Sequence, residues 1–301
     1  MNETGKPTSF QDHAVPQGSG TQLRYSISQL TTRRSTFEED IEQLIEAGAP
    51  AMGVWRQKLD EYGEHQSVER LAAAELAVSS VSWVGGFTGA AGMHYCEALA
   101  DAYSALFTAA ALRAECVVVC PGSRGSYTER HERRLVVDTI REVAIAAEEF
   151  DLTLALQPMR KPFAHRWTSL CTLDGTLDMI DAVNRPNVGM ALDTFHLGHD
   201  LKLVERIPEF ADRVAIVQLS DAPAHPDSLY DRCLPGEGVL PLESIVGMLL
   251  DHDYRGCFDL QVWSEELWAS EPEQIVRSGC EAMIRLGEAV ADPTRETTIA
   301  G

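Results

Sequence analysis

Eight short, apolar, β-branched runs recur along this chain, each followed by a segment that reads as helix. That alternation restricts the fold more than any other feature. The runs are 23–28 (LRYSIS), 51–55 (AMGVW), 77–84 (AVSSVSWV), 116–120 (CVVVC), 153–159 (TLALQPM), 188–194 (VGMALDT), 214–221 (VAIVQLSD) and 257–263 (CFDLQVW). Most are apolar throughout rather than alternating, as parallel strands covered by helices are. Between them, TFEEDIEQLIEAG opens on Thr36 as a helix cap and stops at Gly48, and ERHERRLVVDTIREVAIAAEEF carries an apolar stripe of 3.6-residue period. PLESIVGMLLDHDY and EPEQIVRSGCEAMIRLGEAV complete the later units. Strand–helix alternation specifies a parallel sheet. Eight units close into a (β/α)8 TIM barrel, whereas a doubly wound sheet usually has five or six strands. A chain of 301 residues holds one such α/β barrel as a single domain, expected at 21–290. Polar tails are expected at 1–20 and 291–301.

Composition narrows the partners. The formal charge of −21 would repel nucleic acid and anionic membrane alike. No apolar run approaches the roughly 18 residues of a bilayer span, and residues 1–20 lack the hydrophobic stretch of a signal peptide. Seven cysteines, an odd number without a CxxC pair, fit reduced thiols, and Cys116 and Cys120 lie in one apolar run as buried thiols do. A cytoplasmic protein acting on a small molecule is expected, with a homodimer possible. No GxGxxG follows the first strand and no GxxxxGK[ST] occurs, so a nucleotide cofactor is not expected.

In a TIM barrel the chemistry sits where strands end and in the loops after them. Those ends carry Gln157, Asp193, His196, Gln218, Asp221 and Gln261, and the loop after the seventh strand adds Asp231, Arg232 and Glu237. Polar groups closing apolar strands are costly to bury without partners, which marks a site. Asp193 beside His196 suits general acid/base work, a carboxylate fixing the tautomer of an imidazole; capping of the following loop is the plainer role for Asp193. Arg232 suits a substrate hydroxyl, carboxylate or phosphate, or else a salt bridge to Asp231 or Glu237. Asp221 most simply finishes its strand. Trp55 and Trp83 end early strands and either wall a pocket or plug the barrel top. The run ERHERR (129–134) reads as a solvated helix start, and the Gly-rich stretch 85–94 as a mobile loop beside the site. Arg160, Lys161, His165 and Arg166 form a basic cluster after the fifth strand, suited to an anionic substrate group or to plain solvation.

The runs LALQPMRKPFAHRW, LDMIDAVNRPNVGMALDTFH, VQLSDAP, DRCLPGEGVLPLESIV and LQVWSEE resemble the xylose isomerase-like sugar phosphate isomerase/epimerase superfamily. The likeness spans roughly 21–290 and is most specific from Leu154 to Glu265, with DTFH and PGEG its strongest pieces. The resemblance implies a TIM barrel and, in most members, one divalent metal held by Glu, Asp, His and Glu on strands five to eight. It assigns the intact Asp position to Asp193, a further histidine to His196 and a substrate-contacting arginine to Arg232. The other three ligand positions read Gln157, Gln218 and Gln261. Amide oxygens ligate hard cations without the charge that tight binding draws on. A tightly bound metal is therefore not expected. The reading favoured is a metal-independent isomerase, epimerase or lyase-like enzyme moving a proton on a small carbonyl- or hydroxyl-bearing metabolite. His196 and Asp193 would be its acid/base pair, with Gln157, Gln218, Gln261, Arg232, Trp55 and Trp83 around the substrate. The alternatives are a sugar (phosphate) isomerase or epimerase with a weak Mn²⁺ or Mg²⁺ site on Asp193 and the glutamines, and a non-catalytic barrel that binds a ligand or partner.

Overall fold

A computed structural model describes residues 23–90 and 92–292. The expected N-terminal tail, and all but the start of the C-terminal one, lie outside the described residues.

Eight parallel strands close in sequence order: β1 (Tyr25–Ser28), β2 (Ala51–Trp55), β3 (Ala77–Gly85), β4 (Cys116–Cys120), β5 (Thr153–Leu156), β6 (Val188–Asp193), β7 (Val214–Leu219) and β8 (Phe258–Leu260). β8 pairs back onto β1 through Tyr25–Phe258 and Ile27–Leu260, which completes the expected (β/α)8 barrel. Four strands stop short of the runs read from sequence, β6 by Thr194 alone. β5 and β8 end at Leu156 and Leu260, just before Gln157 and Gln261, and β7 ends at Leu219, just after Gln218. Their ladders nonetheless reach the site: Gln157 N donates to Val119 O at 3.0 Å and Gln261 N to Leu219 O at 2.8 Å.

Helices follow each strand as expected. α1 (Phe37–Glu46) opens on a capping box in which the Thr36 side chain accepts from Glu39 N and the Glu39 side chain accepts from Thr36 N. α2 (Arg56–Tyr62) and α3 (Glu64–Ala74) follow β2, α4 (Tyr95–Ala111) follows β3, and α5 (Glu129–Glu148) follows β4. The solvated start expected of α5 holds except at Glu132, which is buried and accepts from Ser169. The Gly-rich stretch after β3 is partly packed down, with Phe87 and Thr88 buried. Gly85 closes β3 at φ +140°, and a Cβ there would lie 1.8 Å from the Cys120 carbonyl oxygen, so only glycine allows that strand approach. β5 leads to the one-turn α6 (Lys161–Ala164) and then α7 (Leu173–Val183). Short α8 (Thr194–Leu197) and α9 (Leu203–Arg206) follow β6, α10 (Leu242–Asp251) follows β7, and α11 (Pro272–Ala291) follows β8.

The main apolar core lies between barrel and helices, built from residues such as Ile41, Val81, Leu106, Ile140, Leu192 and Met283. A smaller cluster fills the barrel interior: Cys116, Val118, Ala155, Ala191 and Ile216, with Trp83 packed against it. These side chains are small, and polar ones share the interior. Ser26 Oγ lies 2.6 Å from Asp259 Oδ1 and 2.7 Å from Ser79 Oγ. All seven cysteines are free thiols. No described helix is long and apolar enough to cross a membrane.

Candidate active site

Asp193 ends β6 and caps α8, its Oδ1 accepting from Phe195 N at 3.0 Å. The sequence alternatives of cap and site residue are therefore both met in one side chain. Arg232 grips the same carboxylate through two bonds, Nη1 to Oδ1 at 3.1 Å and Nη2 to Oδ2 at 3.0 Å. Gln157 Nε2 donates to Oδ2 at 3.1 Å. A carboxylate offers about four lone-pair positions, and these four donors fill them.

Arg232 is rigidly held although it sits in a loop. Asp221 and Cys233 exchange backbone bonds on one side of it, and Asp231 bridges to Ser264 on the other. Its guanidinium lies over the Phe195 ring at 4.5 Å and the Trp263 ring at 5.4 Å, stacking that suits a planar cation. The salt bridges expected to Asp231 or Glu237 are replaced by the one to Asp193. Asp231 instead accepts from Asp227 N and Ser228 N, and Glu237 from Leu234 N. Asp221 finishes its strand as expected and ties down the PGEG loop, accepting from Ala222 N, Gly236 N and Leu240 N.

His196 stands one helical turn from Asp193, but its Nε2 is 3.7 Å from Oδ2, beyond a hydrogen bond. Asp193 therefore does not orient the imidazole directly. The same Nε2 lies 3.4 Å from Arg232 Nη2. An arginine only donates, so this contact needs the Nε2 lone pair and places the ring proton on Nδ1. Burial pushes the imidazole down to about 4, against the pull of Asp193 and with help from the Arg232 charge. At neutral pH it is an uncharged ring presenting a buried Nδ1 that meets no partner.

The glutamines divide into two roles. Gln157 is committed: besides bonding Asp193, its Oε1 accepts from Trp83 Nε1 at 3.3 Å. Gln218 and Gln261 are fully buried, yet neither amide has a partner at its oxygen or its nitrogen. Unpaired buried polar atoms each cost about 1–3 kcal/mol, which fits groups held ready for a ligand. Trp83 packs on Trp167 at 5.2 Å and Trp263 at 5.7 Å, forming an indole wall over the barrel interior. Trp55 joins a neighbouring group with Leu30, Trp263 and Trp268. Trp167, Trp263 and Phe195 escaped the sequence reading; the usable signal was their position in or just beyond the stretches that close β5, β6 and β8.

These donors do not fit a divalent cation. The Asp193 carboxylate is saturated and neutralised by a guanidinium, which leaves two amide oxygens and the His196 ring, all neutral, with no charge to set against a 2+ ion. Among the described residues no three His, Cys, Asp or Glu side chains come together as a metal-holding group.

Residues 41–286 match the family model for the xylose isomerase-like TIM barrel. The chain belongs to that family. It is 22% identical over 199 residues to an inosose isomerase of Halalkalibacterium halodurans, a match covering 64% of this chain and 68% of the relative. It is 27% identical over 126 residues to the D-psicose 3-epimerase of Enterocloster bolteae, covering 42% of this chain and 38% of the relative. The solved structure of an IOLI protein with a bound zinc atom superposes with a TM-score of 0.79 at 18% identity, over 90% of this chain and 99% of that one. The first two relatives are an isomerase and an epimerase, and at 18% identity the structural likeness speaks for the fold.

Proposed function

We propose that this protein is a cytoplasmic isomerase, epimerase or lyase-like enzyme that shifts a proton beside the carbonyl of a small metabolite without a resident metal. One observation carries the reading: of the two strand-end carboxylates, Asp221 is taken by backbone donors and Asp193 is locked by Arg232, whose fixed charge stands among free amide and imidazole donors. Preorganised donors of this kind stabilise an oxyanion as it forms, because they need no reorganisation in a dry site. The isomerase and epimerase relatives support the reaction class.

In this reading Arg232, Gln218 and Gln261 hold the carbonyl oxygen as negative charge develops on it. His196 donates a hydrogen bond from Nδ1 to the same oxygen, so that the enolate is stabilised while the proton leaving carbon passes to a solvent water, which returns it to the same or the adjacent carbon as the carbonyl reforms. Asp193 acts through Arg232, and Gln157 through Asp193 and Trp83. Trp83, Trp167 and Trp263 exclude water from one side. A second reading, a binding barrel, draws on the lack of a free carboxylate in this set to accept a proton from carbon.

The test is turnover of hydroxy-ketones and keto acids by purified protein treated with EDTA. Activity should survive chelation, stay flat on adding Mn²⁺ or Mg²⁺, and fall at least about 100-fold in His196→Gln with the circular dichroism unchanged. Activity that EDTA removes and Mn²⁺ restores would overturn the metal-free reading. Tight binding without any product would favour the binding barrel.

A further inference from the structure

The basic cluster after β5 is split by the fold. Lys161, His165 and Arg166 are exposed, and the first two line a separate cleft of about 570 Å³ with Arg124, Arg133 and Glu132. Arg160 does not line that cleft. It is half-buried, and its Nη1 is inaccessible to water yet meets no acceptor. Its backbone carbonyl opens α6, accepting from Phe163 N at 2.9 Å and Ala164 N at 3.0 Å. Phe163 in turn packs on Phe195 at 5.7 Å and on the His196 ring at 6.2 Å. That seats the loop carrying Arg160 against α8.

Two further nitrogens there lack partners: His196 Nδ1, on a ring that is 4% exposed, and His199 Nε2. The Arg160 charge bears on both rings and lowers both imidazoles, burial being the larger cause in each. Of the other charged groups facing them, Asp193 belongs to Arg232, and Asp221 is spent on three backbone donors. His225 is exposed and also bears on His199. Asp193 is paired with Arg232 and Asp221 with backbone donors, so Arg160 is the cation left facing these rings without an ion-pair partner among the described residues.

The geometry points to Arg160, with His196 and His199, as the seat of a carboxylate on the substrate, making that substrate a carbonyl compound with an acid group. This rests on the site proposed above and adds the substrate class to it. A guanidinium fork matches the two oxygens of a carboxylate, and one charge balances one. A phosphate dianion would keep an uncompensated negative charge in a buried site, which is costly.

The experiment measures binding, so it is independent of turnover and of metal. The full chain is titrated with pyruvate, with pyruvamide as its neutral counterpart, and with inorganic phosphate, following tryptophan fluorescence and the ¹⁵N resonances of labelled histidines. Pyruvate should bind wild type, weaken at least about tenfold in Arg160→Gln, and stay within about twofold in Arg166→Gln. Pyruvamide should be indifferent to both changes. Pyruvate should also raise the His196 titration in wild type and leave it unmoved in Arg160→Gln, a response that a merely structural arginine would not produce. Arg160→Lys keeps the charge without the fork; it should bind pyruvate more weakly than wild type and more tightly than it binds pyruvamide, which serves if the glutamine variant misfolds. Unchanged pyruvate affinity in Arg160→Gln, tighter binding of phosphate than of pyruvate, or no saturation of wild type by millimolar pyruvate would each overturn the assignment.

Discussion

Two buried titratable side chains pull stability in opposite directions with pH. Asp259, inside the barrel, is raised to about 7 by burial, with Ser26 opposing the shift. Its folded value lies above the unfolded one, so its contribution is complete below about pH 4 and is lost as pH rises through 7. His196 is lowered to about 4, so its contribution is complete above about pH 6.5 and is lost as pH falls toward 4. Each is worth roughly 3–4 kcal/mol at its limit. Between about pH 4 and 6.5 the two slopes nearly cancel, and wild type should show an almost flat profile from this pair. Asp259→Asn should unmask a loss of stability on acidification, and His196→Gln a loss on going from pH 4 to 7. Urea titrations across that range check both, and parallel profiles for the two variants would contradict the assignment.

At the level of elements, the loops after β1 and β2 are joined by a buried ion pair on α1 and α2. Lys58 Nζ donates to Asp40 Oδ2 at 2.6 Å and to Thr32 O at 2.7 Å, and Gln29 Nε2 adds a bond to the same oxygen at 2.9 Å. Gln29 Oε1 also accepts from Trp55 N at 2.9 Å, which ties the end of β2 into the lock. Removing one partner of a buried pair costs about 3–5 kcal/mol, because the other charge is left uncompensated. Lys58→Met should therefore destabilise by that amount, whereas Lys58→Met with Asp40→Leu should recover much of it. Chemical denaturation of the two variants gives the comparison, and equal losses would assign the lock no electrostatic role.

Across the whole molecule, a formal charge of −21 surrounds a mouth in which the Arg160 guanidinium leaves a buried nitrogen without an acceptor. The long-range field thus repels the acid that Arg160 is proposed to seat. Salt screens that field over about 10 Å at 0.1 M but acts much less on a buried contact. Pyruvate should associate faster at 200 mM than at 20 mM salt, while pyruvamide should not respond. Stopped-flow tryptophan fluorescence measures both, and slower association of pyruvate at high salt would show that local attraction outweighs the global charge.

Eight apolar runs separated by amphipathic helices were enough to specify the barrel, because burial of strand and helix faces is a local, periodic property of the chain. The strand ends also exposed Gln157, Asp193, His196, Gln218, Arg232 and Gln261 as one set, since a barrel collects all its strand ends on one face. How those residues pair was not readable. Asp193 went to Arg232, 39 residues away, rather than to its helical neighbour His196, because the bridges at Asp221–Cys233 and Asp231–Ser264 carry the arginine across the mouth. Asp259 sits within an apolar run and owes its raised proton affinity to burial inside the closed barrel, against the hydrogen bond from Ser26 on another strand. Four basic residues within one short loop look equivalent in the sequence, yet it is the Arg160 charge that bears on His196 and His199, while Lys161 and His165 line another cleft. Period and composition decide which faces are buried; the distances between side chains far apart in the chain decide charge, tautomer and chemistry, and those exist only once the barrel has closed.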